Sequence, residues 1–321
     1  MKSLLYILIS TSLLIISCKS DTQAVSNNKP TESKATRNNA DGPIFKLIDK
    51  EELKPSIEVK SADTIEVGSI EDIVSYANHN IAIKLKKGNY TLSDQFVYYI
   101  SKDKKKIIDK RAEETRSIGG QIYISGMINF SIIGNGSEIL SNNPKAVPLF
   151  IVKAEQGIVK DVILGHNIPK NTNSNVPSLY VAQSKNVRFY NCNLGNNSQV
   201  GLKILNSKLL TFTNCTINNA KEKVLEFIQA RSIQVINSSF INNTCTRGCL
   251  DFLGNENSAE FKYVDVINNE FIGSNSNGLK QIISGPNENI RFRKSKFQGN
   301  KNFDKIGIVD FNLTECEVQK F

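Results

Sequence analysis

Residues 184–194 read SKNVRFYNCNL, and residues 207–217, 23 positions on, read SKLLTFTNCTI. A third copy, ARSIQVINSSF, occupies residues 230–240, again 23 positions on. Apolar residues alternate at period two within each copy: Val187 with Phe189, Leu210 with Phe212, Ile233 with Val235. That alternation describes a strand with one face in and one face out. The runs are too short for helices. Short strands recurring at this period predict a solenoid, in which the chain coils and each turn lies on the last.

Setting the copies in register yields three columns. Val187, Leu210, Ile233, Val264, Ile290 and Phe311 form the first, and Phe189, Phe212, Val235, Val266, Phe292 and Leu313 the second. Leu194, Ile217, Phe240, Phe271, Phe297 and Val318 form the third. Asn191, Asn214, Asn237 and Asn268 stand between the second and third, Asn268 being 31 positions beyond Asn237. Asn tolerates the left-handed conformation that a sharp bend demands. Cys192, Cys215 and Ser238 follow directly, with Ser295 and Cys316 in the same phase. These small side chains are expected to point inward, since a free Cys packs as a small hydrophobe.

Together these features resemble the rung of a right-handed parallel β-helix of the pectin-lyase-like superfamily. There, three parallel sheets wrap one core and an Asn ladder marks the tight turn between the second and third sheets. The resemblance spans residues 120–321. It is specific for fold and not for activity, because the superfamily holds lyases, hydrolases, esterases, phage tailspikes and proteins without known chemistry. The expected fold class is therefore all-β: a right-handed parallel β-helix solenoid with a short N-terminal capping helix.

The cap is read from GSIEDIVSYAN at residues 68–78. Ser69 with Asp72 three positions on is a capping-box-like start. Ile70, Ile73, Val74 and Ala77 give one apolar face, fit to plug the open end of the coil and bury an edge that would otherwise recruit strands. IAIKLKKGNYTLSD from Ile81 reads as the first strands, with a turn at Gly88-Asn89. The Lys-rich segment that follows, around residues 102–106, breaks the rhythm; a solvated excursion is the expected reading of such a run.

The N-terminus carries a different message. Lys2, the apolar run from Leu4 to Ile16 and then Ser17-Cys18 have the grammar of an export signal, too short for a spanning helix. Ile15-Ile16-Ser17-Cys18 resembles a bacterial lipobox, which implies lipidation of Cys18 and a lipid anchor in a membrane of the bacterial cell envelope. The expected division is a signal peptide over 1–17 and a flexible Ser/Thr/Asn/Lys tether over 18–43. The cap region and first strands follow over 44–118, and the rungs over 119–321. Five other cysteines remain, an odd number in an exported protein. Cys245 and Cys249 either close a small loop disulfide or stay free.

Composition decides less. The chain of 321 residues has 40 Lys+Arg against 31 Asp+Glu, a balance that permits an acidic polysaccharide, lipid headgroups or nucleic acid as partner. The charge is spread along the chain, and no nucleic-acid partner is expected.

Chemistry is sought on the strands after the Asn turn: LYVA from Leu179, LKIL from Leu202, LEFI from Leu225 and LDFL from Leu250. The second residue of each points out, giving a stripe of Tyr180, Lys203, Glu226 and Asp251 on rungs about 4.8 Å apart. The resemblance implies that this sheet and its preceding loops, with His166, Lys221, Lys223 and Arg247, line a substrate groove. A uronate lyase would need a cation on the sugar carboxylate (Arg247, Lys203 or Lys223) and a base (His166, Tyr180 or a Lys). A hydrolase would need two carboxylates, here Glu226 and Asp251. The bland alternative is a charge ladder in which Lys203 pairs with Glu226. The superfamily's hydrolase motifs GDD and RIK do not occur in the sequence. Calcium is conceivable on the resemblance, but no acidic cluster indicates it, and no metal or other cofactor is expected. Tyr180 is the one aromatic visible on the stripe. The reading favoured by these residues is an anchored glycan-binding or surface-structural β-helix without strong catalysis. The alternative is a lyase, or less so a hydrolase, acting on an acidic polysaccharide.

Overall fold

Alternating side chains become sheets only if each rung hydrogen-bonds to the next, and here they do. The structure, a computed structural model, describes residues 63–109, 118–169, 172, 174–245, 250–253, 257–267, 270–271, 283–284, 290–298, 312–314 and 317–318. One sheet runs through Phe96–Ser101, Gln121–Ser125, Leu149–Val152, Pro177–Ala182, Val200–Leu205, Lys223–Ile228, Leu250–Leu253 and Ile283–Ser284, all in parallel. The second and third faces form one continuous sheet. Ser131–Ser141 and Ile158–His166 pass the corner unbroken, with a register shift between Ile133 and Ser137. The chain is a right-handed parallel β-helix, the hand that parallel crossovers take almost without exception.

Inward positions carry the columns expected from the repeat. Phe189 and Phe212 are buried and stack at 4.6 Å between ring centroids, 3° from parallel; Phe261 and Phe292 do the same at 4.4 Å and 9°. Cys192 and Cys215 are buried free thiols just after the corner. The Ser that opens the first two copies also has a task. Buried Ser207 accepts the Ser184 N–H at 3.0 Å and donates to Leu205 O at 2.9 Å, so the turn's backbone groups find partners inside.

The corner column keeps its conformation while changing its residues. Asp161, Asn191, Asn214, Asn237, Tyr263 and Lys294 have φ between 48° and 55°. Asn237 Nδ2 donates to Asn214 Oδ1 at 2.6 Å, and Asn191 Nδ2 to Asp161 Oδ1 at 2.8 Å. This corrects the expected register beyond Asn237. Ile233 pairs with Ala259, Val235 with Phe261 and Phe240 with Val266. The corner there is Tyr263, so Val264 and Val266 do not continue the first two columns. Val264 is instead a buried residue after the corner, with its N–H on Ser295 Oγ at 3.2 Å. The cause is local: FKYVDV is apolar at both phases, so hydrophobicity alone allows two alignments. Phe271 pairs with Cys245, and Asn268, Phe311 and Cys316 lie outside the described residues.

The cap is as expected. The helix Ile70–Tyr76 starts at Ser69, whose Oγ accepts the Asp72 N–H at 3.0 Å, and buries Ile70, Ile73 and Val74. The Lys-rich segment forms an antiparallel hairpin, Phe96–Ser101 with Lys105–Asp109, at the edge of the first sheet. Its exposed lysines discourage further strand addition. Cys245 is disulfide-bonded and buried. The signal, the tether, Cys18, Arg247 and Cys249 lie outside the described residues.

Removing one ring of the stacked core creates a cavity that neighbouring rungs cannot close. Phe212→Ala is expected to cost about 3–5 kcal/mol in urea unfolding. Lys208→Ala, at an exposed position four residues earlier, should stay within about 0.5 kcal/mol.

Candidate functional site

Register places every outward residue of the first sheet directly over its neighbour. Tyr99 faces Tyr123, Tyr123 faces Phe150, and Phe150 faces Tyr180. Beyond them Tyr180 faces Lys203, Lys203 faces Glu226, and Glu226 faces Asp251. One column therefore has an aromatic half and a charged half. The expected stripe from Tyr180 to Asp251 stands, but the expectation of a single aromatic is corrected to four. Tyr99, Tyr123 and Phe150 are not marked by the repeated phrase, because FVYYIS, QIYIS and LFIV lie on rungs without it. Aligning their alternation with LYVA would have found them.

The rings interact along the column. Phe150 and Tyr180 lie face to face at 4.6 Å and 2°, and Tyr99 and Tyr123 lie at 5.4 Å and 13°. Between these pairs the run breaks, Tyr123 standing at 82° to Phe150. Such contacts add about 0.5–1.5 kcal/mol each beyond area burial. All four rings remain partly solvent-exposed. Burial is the largest influence on the Tyr180 phenol and raises its pKa; Lys203 opposes that and Glu226 adds to it.

The charged half is a closed chain of ion pairs. Lys203 Nζ lies 2.5 Å from Glu226 Oε2 and 5.6 Å from the centre of the Tyr180 ring. Lys223 Nζ lies 2.7 Å from Glu226 Oε1 and also pairs with Asp251 Oδ2. Lys223, expected in a loop, is the first residue of its strand. Val224 and Leu225 are both buried in the core, yet the Lys223 amine reaches Glu226 three positions on. Glu226 and Asp251 were expected to be exposed; they are buried, at 8% and 6% exposure. A carboxylate tolerates such burial only with its charge matched, and Lys223, shared between the two, supplies the match. Burial disfavours charge on Lys223, yet the hydrogen bonds to Asp251 and Glu226 outweigh it and raise its pKa. Burial likewise opposes charge on Glu226, but Lys203 and Lys223 prevail and hold its pKa below the ordinary carboxylate value.

These directions matter chemically. A glycosidase acid needs a raised carboxyl pKa, and Glu226 is displaced the other way. A lysine base needs a lowered pKa, and Lys223 is displaced upward. A calcium ion would have to expel Lys223 from between the two carboxylates, so these residues do not fit that ion. No group of three or more His, Cys, Asp or Glu side chains able to hold a metal occurs among the described residues.

His166 is not brought to the column. It ends the strand Ile158–His166 at 1% exposure. Its Nε2–H donates to Ala146 O at 2.8 Å, which leaves Nδ1 to accept from Ser198 Oγ, also at 2.8 Å. Ser174 Oγ stands 3.4 Å from Nε2. The imidazole ties the following loop to two neighbouring rungs. Burial lowers its pKa to about 4, with the Ala146 hydrogen bond opposing and Lys221 reinforcing the shift. Lys221 reaches the same loop, its Nζ donating to Thr172 O at 3.3 Å.

The sequence matches no protein-family profile and no curated protein. Solved structures do show a likeness of fold. Jun a 1, the major allergen from cedar pollen, is 11% identical with a TM-score of 0.40, covering 74% of this chain and 77% of that one. Pectate lyase Pel9A is 13% identical with a TM-score of 0.34, covering 82% of each. Tailspike protein 2 of Escherichia coli O157:H7 bacteriophage CAB120 is 12% identical with a TM-score of 0.34, covering 81% of this chain and 43% of that one.

The buried neutral imidazole gives a pH signature. The unfolded chain binds its proton near the ordinary pKa of 6.5, the folded chain only near about 4, so stability present above 6.5 is lost as pH falls between those values. Glu226, with its lowered pKa, adds its own loss only below its unfolded value of 4.5. Urea midpoints should therefore fall between pH 6.5 and 4.5, and His166→Gln should flatten that limb. An unchanged limb in the variant would contradict the neutral, buried assignment.

Proposed function

We propose that this chain is an exported, lipid-anchored protein of the bacterial cell envelope that binds a polysaccharide along the outer column of its first sheet without cleaving it. The observation that carries this reading is the column itself. Four aromatic side chains on consecutive rungs form a strip parallel to the helix axis, and three of them end in a hydroxyl. An extended polymer lying along such a strip meets apolar edges and hydrogen-bonding tips in alternation, the mixture that sugar rings present in return. Anchoring through Cys18 rests on the lipobox-like Ile15-Ile16-Ser17-Cys18 and would hold the strip near a membrane.

The rival reading is a lyase acting on an acidic polysaccharide. It needs an available base and a cation to neutralise the sugar carboxylate. Lys223 and Glu226 are committed to each other, and His166 has both nitrogens occupied. Their pKa directions oppose acid–base work at neutral pH, which favours binding over cleavage.

Incubation with a panel of soluble polysaccharides, followed by affinity electrophoresis and ultraviolet detection of unsaturated ends, tests the two readings together. Retardation without new absorbance is expected, and Tyr180→Ala should weaken retention by about fivefold or more, as loss of a central aromatic contact does. Accumulating absorbance that vanishes in Lys203→Met would establish the lyase instead. Metabolic labelling with a fatty acid should mark the wild type and spare Cys18→Ser; equal labelling would remove the anchor from the proposal.

A further inference from the structure

The charged half of the column sets limits on what the aromatic half can hold. We propose that its ligand is an uncharged glycan, bearing hydroxyls but neither carboxylate nor sulfate; this rests on the binding reading above and names its ligand class. The four charged side chains are two cations, Lys203 and Lys223, and two anions, Glu226 and Asp251. They cancel, and they cancel by direct contact. Each oxygen of Glu226 is held by a different lysine, Oε2 by Lys203 at 2.5 Å and Oε1 by Lys223 at 2.7 Å. Lys223 also holds Asp251. Lys203, the cation nearest the aromatic rings, is thus already neutralised where it lies beside Tyr180.

An entering sugar carboxylate would have to share Lys203 with Glu226, which already holds it at 2.5 Å. It would add a third carboxylate beside Glu226 and Asp251, which occupy neighbouring rungs and are both buried. Only two lysines would then face three anions, and the surplus negative charge is repelled from the partly desolvated column. At the opposite end of the aromatic strip, Lys106 stands across from Tyr99 on the edge strand and is itself engaged in a contact. Between Lys106 and Lys203 the column presents only Tyr99, Tyr123, Phe150 and Tyr180. A neutral chain can lie on that stretch without disturbing any ion pair.

The net charge of +9 attracts acidic polymers to the whole surface, so affinity alone does not test the claim, and salt must separate the two contributions. The probes are a soluble mixed-linkage glucan, a galactomannan and polygalacturonate, each titrated into the full chain at about 0.02 M and about 0.5 M salt, where screening differs several-fold in range. At least one uncharged polymer should bind with a Kd that shifts less than twofold between the two salts and rises fivefold or more in Tyr180→Ala. Polygalacturonate should lose tenfold or more at the higher salt and be insensitive to that substitution. Retention of polygalacturonate alone at the higher salt, or its equal retention with the uncharged polymers, overturns the proposal while leaving polysaccharide binding in place. Binding of none of the three at either salt overturns the binding reading as well, and this outcome is distinguishable from the others.

Discussion

The hydrogen bond from one rung to the next is the constraint on which every other feature depends. Arg188 N–H reaches Gly157 O at 2.9 Å, Thr211 N–H reaches Val187 O at 3.2 Å, and Gln234 N–H reaches Leu210 O at 2.9 Å. With parallel pairing, a residue has its counterpart directly above it, and a slip by one position would turn a whole strand inside out. The corners guard against that slip. Six successive rungs pass this bend at one residue with positive φ, at Asp161, Asn191, Asn214, Asn237, Tyr263 and Lys294, and the side-chain amides of the Asn copies add bonds along the axis.

The same stacking that buries Phe over Phe inside places charge over charge outside. Neighbouring rungs at about 4.8 Å leave adjacent ionised groups no room to be indifferent to one another. Lys203, Glu226 and Asp251 follow in register, and Lys223 completes the pairing. A site of this kind is locked: its groups satisfy each other, burial strengthens the pairing, and little is left over for acid–base work. The aromatic half has no such internal balance to protect, and the proposed recognition rests there.

The fold was legible because three rungs share a phrase, and a phrase in phase with itself specifies strand, corner and core together. Legibility failed where the phase became ambiguous. FKYVDV permits two registers, and only backbone pairing shows that Tyr263 takes the corner. The aromatic half was hidden for a similar reason, since Tyr99, Tyr123 and Phe150 sit on rungs that lack the phrase. The charged stripe could be read as a stripe but not as buried. Its burial depends on Lys223, whose amine reaches carboxylates three and 28 positions away. His166 shows the limit most plainly: its partners lie 20 and 32 positions away, and nothing near it in sequence says that the ring is enclosed.

One outward column carries Tyr180, Lys203, Glu226 and Asp251 in consecutive register, with the Lys223 amine shared between the two carboxylates. A crystal structure of the protein is the decisive measurement of that arrangement. All four side chains are expected on the outer face of one parallel sheet, with Lys223 Nζ within hydrogen-bonding distance of both Glu226 and Asp251. Any of the four turned into the core, or Lys223 directed away from the carboxylates, would contradict it.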